Sequence, residues 1–139
     1  MSILLDTNAL SELLRAAPDP AALNWFSRQR EDQLFVSAVT QAEMVLGARL
    51  LPDGRRQQSL QDALRGLFED DFANRVLPFD GGSVACYAEI VVARRRAGRP
   101  ISQFDAQIAA IAVQNGFALA TRNIRDFEGC GLRLINPWD

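Results

Sequence analysis

Three acidic residues stand apart from the other carboxylates because apolar sequence surrounds them. Asp6 directly follows the apolar run Ile3-Leu4-Leu5, whereas Glu43 and Asp105 lie among apolar residues at helical spacing. A buried carboxylate needs a cation, an arginine or several hydrogen-bond donors. Three converging carboxylates would repel one another, and a divalent ion with oxygen ligands, Mg²⁺ or Mn²⁺, would relieve that repulsion. Asp6, Glu43 and Asp105 are therefore our candidate metal ligands and catalytic residues.

The helical spacing predicts that Glu43 and Asp105 each begin an inward-facing stripe, in the first turn of a helix. Both helix starts should lie at the end of the molecule where the first strand delivers Asp6. The residues that share a face with Glu43 are Val39, Leu46, Gly47 and Leu50. Those that share a face with Asp105 are Ile101, Ile108, Ala109, Ala112 and Val113.

Each of these carboxylates, taken alone, also fits a simpler structural role. Thr40-Gln41-Ala42-Glu43 and Ser102-Gln103-Phe104-Asp105 both fit the capping-box pattern at a helix start. Asp6 alone fits a cap or turn residue before the first helix. Arg49 or Arg122 could neutralise any one of the three. Only the joint pattern favours a metal site.

The chain contains no histidine, and all fifteen basic residues are arginine. Catalysis by serine–histidine or cysteine–histidine pairs is therefore excluded, as are a P-loop lysine and a Schiff-base lysine. The net charge of −2 gives no sign of an overall basic face, so nucleic-acid binding would need local arginines or bridging metal. The two cysteines, Cys86 and Cys130, form no CxxC motif, which favours reduced thiols in a cytoplasmic protein. The short apolar runs predict neither a signal peptide nor a membrane span.

Short apolar strands alternate with helices along the sequence, which is typical of an α/β fold. We predict one domain over residues 1–139, an α/β/α sandwich around a mostly parallel sheet. Strands are expected at 3–5, 34–36, 76–79, 117–120 and 132–135. Helices are expected at 8–15, 21–30, 40–51, 55–68, 83–97 and 102–115. Ligands of such sheets bind beyond the C-terminal ends of the strands, where Asp6 and Thr121-Arg122-Asn123 should lie.

The chain resembles the PIN-domain ribonuclease toxins of bacterial toxin–antitoxin pairs, the VapC and FitB type. The order and spacing of several motifs carry the resemblance over nearly the whole length. These motifs are Leu4-Leu5-Asp6-Thr7-Asn8, Thr40-Gln41-Ala42-Glu43 with Gly47, Leu77-Pro78-Phe79-Asp80, Asp105-Ala106-Gln107-Ile108-Ala109-Ala110, Thr121-Arg122-Asn123 with Asp126-Phe127, and Asn136-Pro137-Trp138.

The resemblance implies a PIN fold, a divalent metal held by the three carboxylates, and cleavage of RNA phosphodiester bonds. Many relatives place a further acidic residue in the loop that here contains Asn123 and Asp126. Asparagine is neutral and a weaker metal ligand than a carboxylate. Asp126 either supplies the negative charge of the further acidic residue or caps the following turn. Thr7 is a possible holder of a metal-bound water, or a turn residue. Arg122 is a possible contact for RNA phosphate.

The resemblance also implies a homodimer and a small DNA-binding antitoxin as partner. The arginine run Arg94-Arg95-Arg96 with Arg99 either contacts RNA or complements the dipole at the end of its helix.

One alternative function is that of a phosphatase-type α/β enzyme. Such enzymes have a lysine at a strand end and an aspartate at the position where this chain has Asn8. The other alternative is a non-catalytic interaction module in which the carboxylates serve as caps.

Overall fold

The computed structural model describes all 139 residues around a five-stranded sheet. Its strands lie in the order β3-β2-β1-β4-β5, and every neighbouring pair is parallel. The strands are β1 Ile3–Leu5, β2 Leu34–Ser37, β3 Val76–Leu77, β4 Ala118–Ala120 and β5 Leu134–Ile135. Parallel neighbours need long crossover connections, and here helices supply them.

Seven α-helices cover both faces of the sheet, which confirms the predicted α/β/α sandwich. They are α1 Thr7–Glu12, α2 Pro20–Ser27, α3 Ala38–Arg49, α4 Arg55–Gly66, α5 Gly81–Arg96, α6 Gln103–Asn115 and α7 Ile124–Phe127. A 3₁₀ turn, Glu31–Gln33, precedes β2, and a π-helical turn, Leu67–Asp71, extends α4. No helix combines the length and the apolar character needed to cross a membrane.

The central strand β1 is buried on both faces because its side chains alternate between two hydrophobic clusters. Ile3 and Leu5 pack into one cluster with residues of α1, α2 and α4. Leu4 packs into the other cluster with residues of α5, α6 and α7. This packing fixes β1 in the middle of the molecule, and the carboxyl end of β1 delivers Asp6.

Most predicted boundaries agree with the structure to within a few residues, and the largest differences at helix starts are two residues, at α3 and α5. Asp6 caps α1, a role that the sequence allowed, and Ser37, and not Thr40, caps α3. Ser37 is also the last residue of β2, so the strand passes into the helix without a loop. The sequence prediction missed this cap because it ended the strand at Val36 and began the helix at Thr40, leaving Ser37 in a loop between them. The short helix α7 was not predicted.

Candidate metal centre

The carboxyl ends of β1, β2 and β4 form one edge, from which the predicted site residues project. The Asp6 N–H donates to the Ala120 carbonyl at 3.0 Å, which ties the end of β1 to the end of β4. Helix α3 begins directly after β2 and carries Glu43. Asp105 lies in the first turn of α6. The fold therefore directs all three predicted ligands towards the same edge.

Asp6 is a buried carboxylate, only 5% exposed, and it forms no ion pair with an arginine. Its Oδ1 accepts the Ala9 N–H at 2.8 Å, so it caps α1 as well as facing the site. The pKa of Asp6 is raised from its ordinary 3.8 to about 6, mainly by burial and to a smaller degree by the charges of Asp105 and Glu43. The Thr121 hydroxyl and the Ala9 N–H act in the opposite direction. The structure therefore confirms that Asp6 caps the first helix.

Glu43 is held by a chain of hydroxyl groups. Thr7 Oγ1 donates to Glu43 Oε1 at 2.8 Å and lies 3.0 Å from Thr40 Oγ1. Thr40 is fully buried, and its N–H donates to Ser37 Oγ at 3.0 Å. The Thr7 hydroxyl therefore fixes one oxygen of Glu43 and leaves the other oxygen for a ligand. The sequence analysis identified Thr7 as a candidate site residue, but it did not identify Thr40 as the residue that lies beside the Thr7 hydroxyl.

The predicted inward stripe on α3 is wrong. Val39 is buried, but Leu46 is 57% exposed and Leu50 is 75% exposed. Gly47 is exposed too, and Glu43 itself is half-buried. The capping box proposed for Thr40 and Glu43 is also absent, because Ser37 caps the helix. An apolar stripe has the same spacing whether it faces a core or a partner, so the pattern could not separate the two.

The stripe predicted for Asp105 is confirmed, because Ile108, Ala109 and Ala112 are buried. Ser102 caps α6 by accepting the Asp105 N–H at 3.2 Å, without the reciprocal bond of a capping box. Burial raises the pKa of Asp105, and the charge of Asp126 adds to this rise. The Ser102 hydroxyl and the charge of Arg94 lower it.

Asn123 and Asp126 lie beside the site in the segment that follows β4. Asn123 begins α7 without a side-chain cap, and its N–H donates to Thr121 Oγ1 at 3.0 Å. Asp126 lies inside α7, so it does not cap a following turn. The electrostatic influence of Asp126 on Asp105 places the two carboxylates near each other.

The donor set fits a hard divalent cation. The three predicted ligands offer only carboxylate oxygens, and none of them pairs with an arginine. The buried carboxylate of Asp6 has hydrogen-bond donors but no cationic partner, and a divalent cation would balance its charge beside two further carboxylates. No three acidic, cysteine or histidine side chains are already gathered into a ready-made cage.

The arginine run contains a structural residue that sequence reasoning missed. Arg94 is only 6% exposed, whereas Arg95 and Arg96 are exposed. Arg94 Nε donates to the Arg99 carbonyl at 2.6 Å, and its guanidinium donates to the Glu128 carbonyl at 2.6 Å. The buried guanidinium thus fastens the segment that carries Asp126 to α5. A surface arginine and this one look alike in sequence, because only the fold buries one of them.

Comparison with known proteins identifies the family. The family model described as PIN domain matches residues 3–129. Over 99% of this chain, the plasmid stability protein StbB of Pseudomonas syringae pv. tomato is 45% identical, with 99% of its own length covered. The VapC ribonuclease Y4jK of Sinorhizobium fredii is 42% identical over 99% of this chain and 98% of its own length. The toxin FitB of Neisseria gonorrhoeae is 37% identical over 98% of both chains.

Solved structures show the same fold. A chain in the structure of FitAB bound to an IR36 DNA fragment superposes with a TM-score of 0.92 at 36% identity. The superposition covers 99% of this chain and 96% of that one. Fold and sequence therefore agree that this chain belongs to the PIN-domain family, within the group that contains the VapC ribonucleases and the FitB toxin.

Proposed function

We propose that this chain, a ribonuclease toxin of the VapC and FitB group, hydrolyses RNA with Mg²⁺ or Mn²⁺ held by Asp6, Glu43 and Asp105. The observation that carries the proposal is the buried carboxylate of Asp6. It has no arginine partner, and the charges of Glu43 and Asp105 raise its pKa. The Ala9 cap gives Asp6 a structural role, but it does not explain two further carboxylates beside a buried one, so a metal-binding role explains the arrangement best.

The chain supplies the ligands and their orientation. A divalent ion bound there would provide a water nucleophile and neutralise charge on the phosphoryl oxygens. Asp6 is fixed by the Ala9 N–H, and Glu43 is fixed by the Thr7 hydroxyl. We assign Thr7 to orienting Glu43 because its hydroxyl is already engaged there. With no histidine in the chain, these carboxylates are the groups available to orient the attacking water.

The acidic segment after β4 extends the site. We place Asp126 near Asp105 as an accessory carboxylate that would strengthen metal binding, because its charge acts on Asp105. Asn123 is exposed, and its side chain caps nothing, so its amide oxygen is available as a neutral accessory ligand. Both assignments rest on position and electrostatics at the same edge of the sheet.

We further propose that the protein forms a homodimer and pairs with a small DNA-binding antitoxin in the cytoplasm. The structure of FitAB bound to DNA supports such a partner, because a chain of that complex is 36% identical to this one. Val45, Leu46 and Leu50 of α3 are exposed apolar side chains that a protein partner would cover. The two cysteines are unpaired, which is consistent with a reducing compartment.

Cleavage of total cellular RNA by the purified chain tests the proposal. RNA should be cut with Mn²⁺ and left intact with a chelator, and Glu43→Gln should remain inactive with Mn²⁺ present. The matched control is Glu31→Gln, an exposed glutamate before β2, at the opposite edge of the sheet. If Mn²⁺ changes neither RNA cleavage nor the melting temperature, a non-catalytic interaction module is favoured instead.

A further inference from the structure

We propose that Arg122 binds the phosphate backbone of the RNA beside the scissile bond, and that Trp138 positions Arg122 for this contact. The inference rests on the proposed function and adds a substrate-binding residue and its support. Arg122 lies directly after Thr121, whose hydroxyl acts on the carboxylate of Asp6. Arg122 therefore stands at the carboxyl end of β4, next to the acidic site.

The guanidinium of Arg122 has no ion-pair or hydrogen-bond partner within the chain. Its side chain is exposed, and it forms neither an ion pair nor a hydrogen bond with another residue. Two other arginines near this edge are engaged: Arg94 donates to carbonyls, and Arg99 pairs with Glu128 at 3.0 Å. A free guanidinium beside a cluster of carboxylates is available to a phosphate, which it binds bidentately.

Trp138 supports the guanidinium of Arg122 from one side. The Arg122 Cζ atom lies 5.2 Å from the centroid of the indole ring, within the range of a cation–π interaction. This contact uses no hydrogen-bond acceptor, so the N–H groups of Arg122 that do not face the ring remain free. The pair therefore holds the arginine in place without consuming the donors that a phosphate needs.

The position of Trp138 is fixed relative to the site. Its backbone N–H donates to Asn136 Oδ1 at 2.9 Å, and its ring packs against the hydrophobic cluster that contains Ile3 and Leu5. The Thr121 N–H donates to the Ile135 carbonyl at 2.9 Å, which joins this C-terminal segment to the end of β4. The indole Nε1 atom is buried and has no hydrogen-bond partner. Packing and stacking therefore hold the ring, and a phenylalanine would lose no hydrogen bond there.

The test measures binding of a short, fluorescently labelled single-stranded RNA to the Glu43→Gln protein over a series of salt concentrations. In that background, Arg122→Gln should weaken binding by about tenfold and lower the slope of log affinity against log salt by about one unit. Trp138→Ala should weaken binding by about threefold, and Trp138→Phe should restore most of the loss. Trp138→Ala should have no further effect once Arg122 is replaced.

The control is Arg56→Gln, because Arg56 is exposed in the first turn of α4, forms no ion pair and stacks on no aromatic ring. The inference is overturned if Arg122→Gln matches this control in affinity and slope. It is overturned equally if Trp138→Ala weakens RNA binding to the same degree with and without Arg122. Either result would leave Mn²⁺-dependent cleavage by the unaltered protein intact, whereas failure of the proposed function would abolish that cleavage in the unaltered protein itself.

Discussion

Thr7 and Glu43 are joined across the site by a hydrogen bond of 2.8 Å, from the hydroxyl of the first residue of α1 to a carboxylate oxygen of α3. Buried Thr40 lies behind this hydroxyl at 3.0 Å. The bond connects the two chain segments that follow β1 and β2. It therefore fixes the direction in which Glu43 presents its second oxygen.

Replacement of Thr7 tests this orientation. Thr7→Val keeps the shape but removes the donor, so Mn²⁺ affinity measured by calorimetry should fall by about tenfold, as for other groups that orient metal ligands. Thr7→Ser keeps the hydroxyl and should retain most of the affinity. Equal affinities for the valine and serine variants would show that the hydroxyl does not orient Glu43.

Neutralising Asp6 should stabilise the metal-free protein. The pKa of about 6 lies above the ordinary 3.8, so the folded protein binds this proton more tightly than the unfolded chain does. The free energy of unfolding should therefore fall as pH rises from about 4 to about 6, with a total cost of about 3 kcal/mol above that window. Asp6→Asn should remove this cost, and urea unfolding in chelator at about pH 8 should show it as the more stable protein.

Two comparisons check the cause of that stabilisation. The advantage of Asp6→Asn should vanish near pH 4, where the unaltered carboxyl is protonated, and Mn²⁺ should stabilise only the unaltered protein. Asp53→Asn, which removes a charge from an exposed loop, should change stability little. An Asp6→Asn protein no more stable than the unaltered one at about pH 8 would contradict the buried charge.

Arg94 should be important for stability, unlike its neighbours in sequence. Arg94→Met leaves the Arg99 and Glu128 carbonyls without their donor, so the free energy of unfolding should fall by about 3 kcal/mol. Arg95→Met, one residue away on the exposed face, should cost less than about 0.5 kcal/mol. Similar losses in the two variants, measured by urea unfolding, would argue against this structural role.

Much of the site could be predicted from sequence because local signals coincide there. Ile3-Leu4-Leu5 is buried on both faces, as an uninterrupted apolar run indicates, and Asp6 follows it at the sheet edge. Asp105 heads a helix stripe that is buried as expected. The remaining features depend on contacts between residues far apart in sequence. These are the Thr7–Glu43 bond, the burial of Arg94, and the exposure of Leu46 and Leu50 on α3.

The chemical ends of the RNA fragments test most directly whether water attacks the phosphate at the acidic site. Purified protein with Mn²⁺ should yield fragments with 5′-phosphate and 3′-hydroxyl ends, because a water nucleophile does not need the 2′-hydroxyl of the substrate. Chelator should abolish the cut, and Glu43→Gln should slow it by at least about a hundredfold. Fragments ending in 2′,3′-cyclic phosphate, or cleavage that survives both chelator and Glu43→Gln, would contradict hydrolysis at Asp6, Glu43 and Asp105.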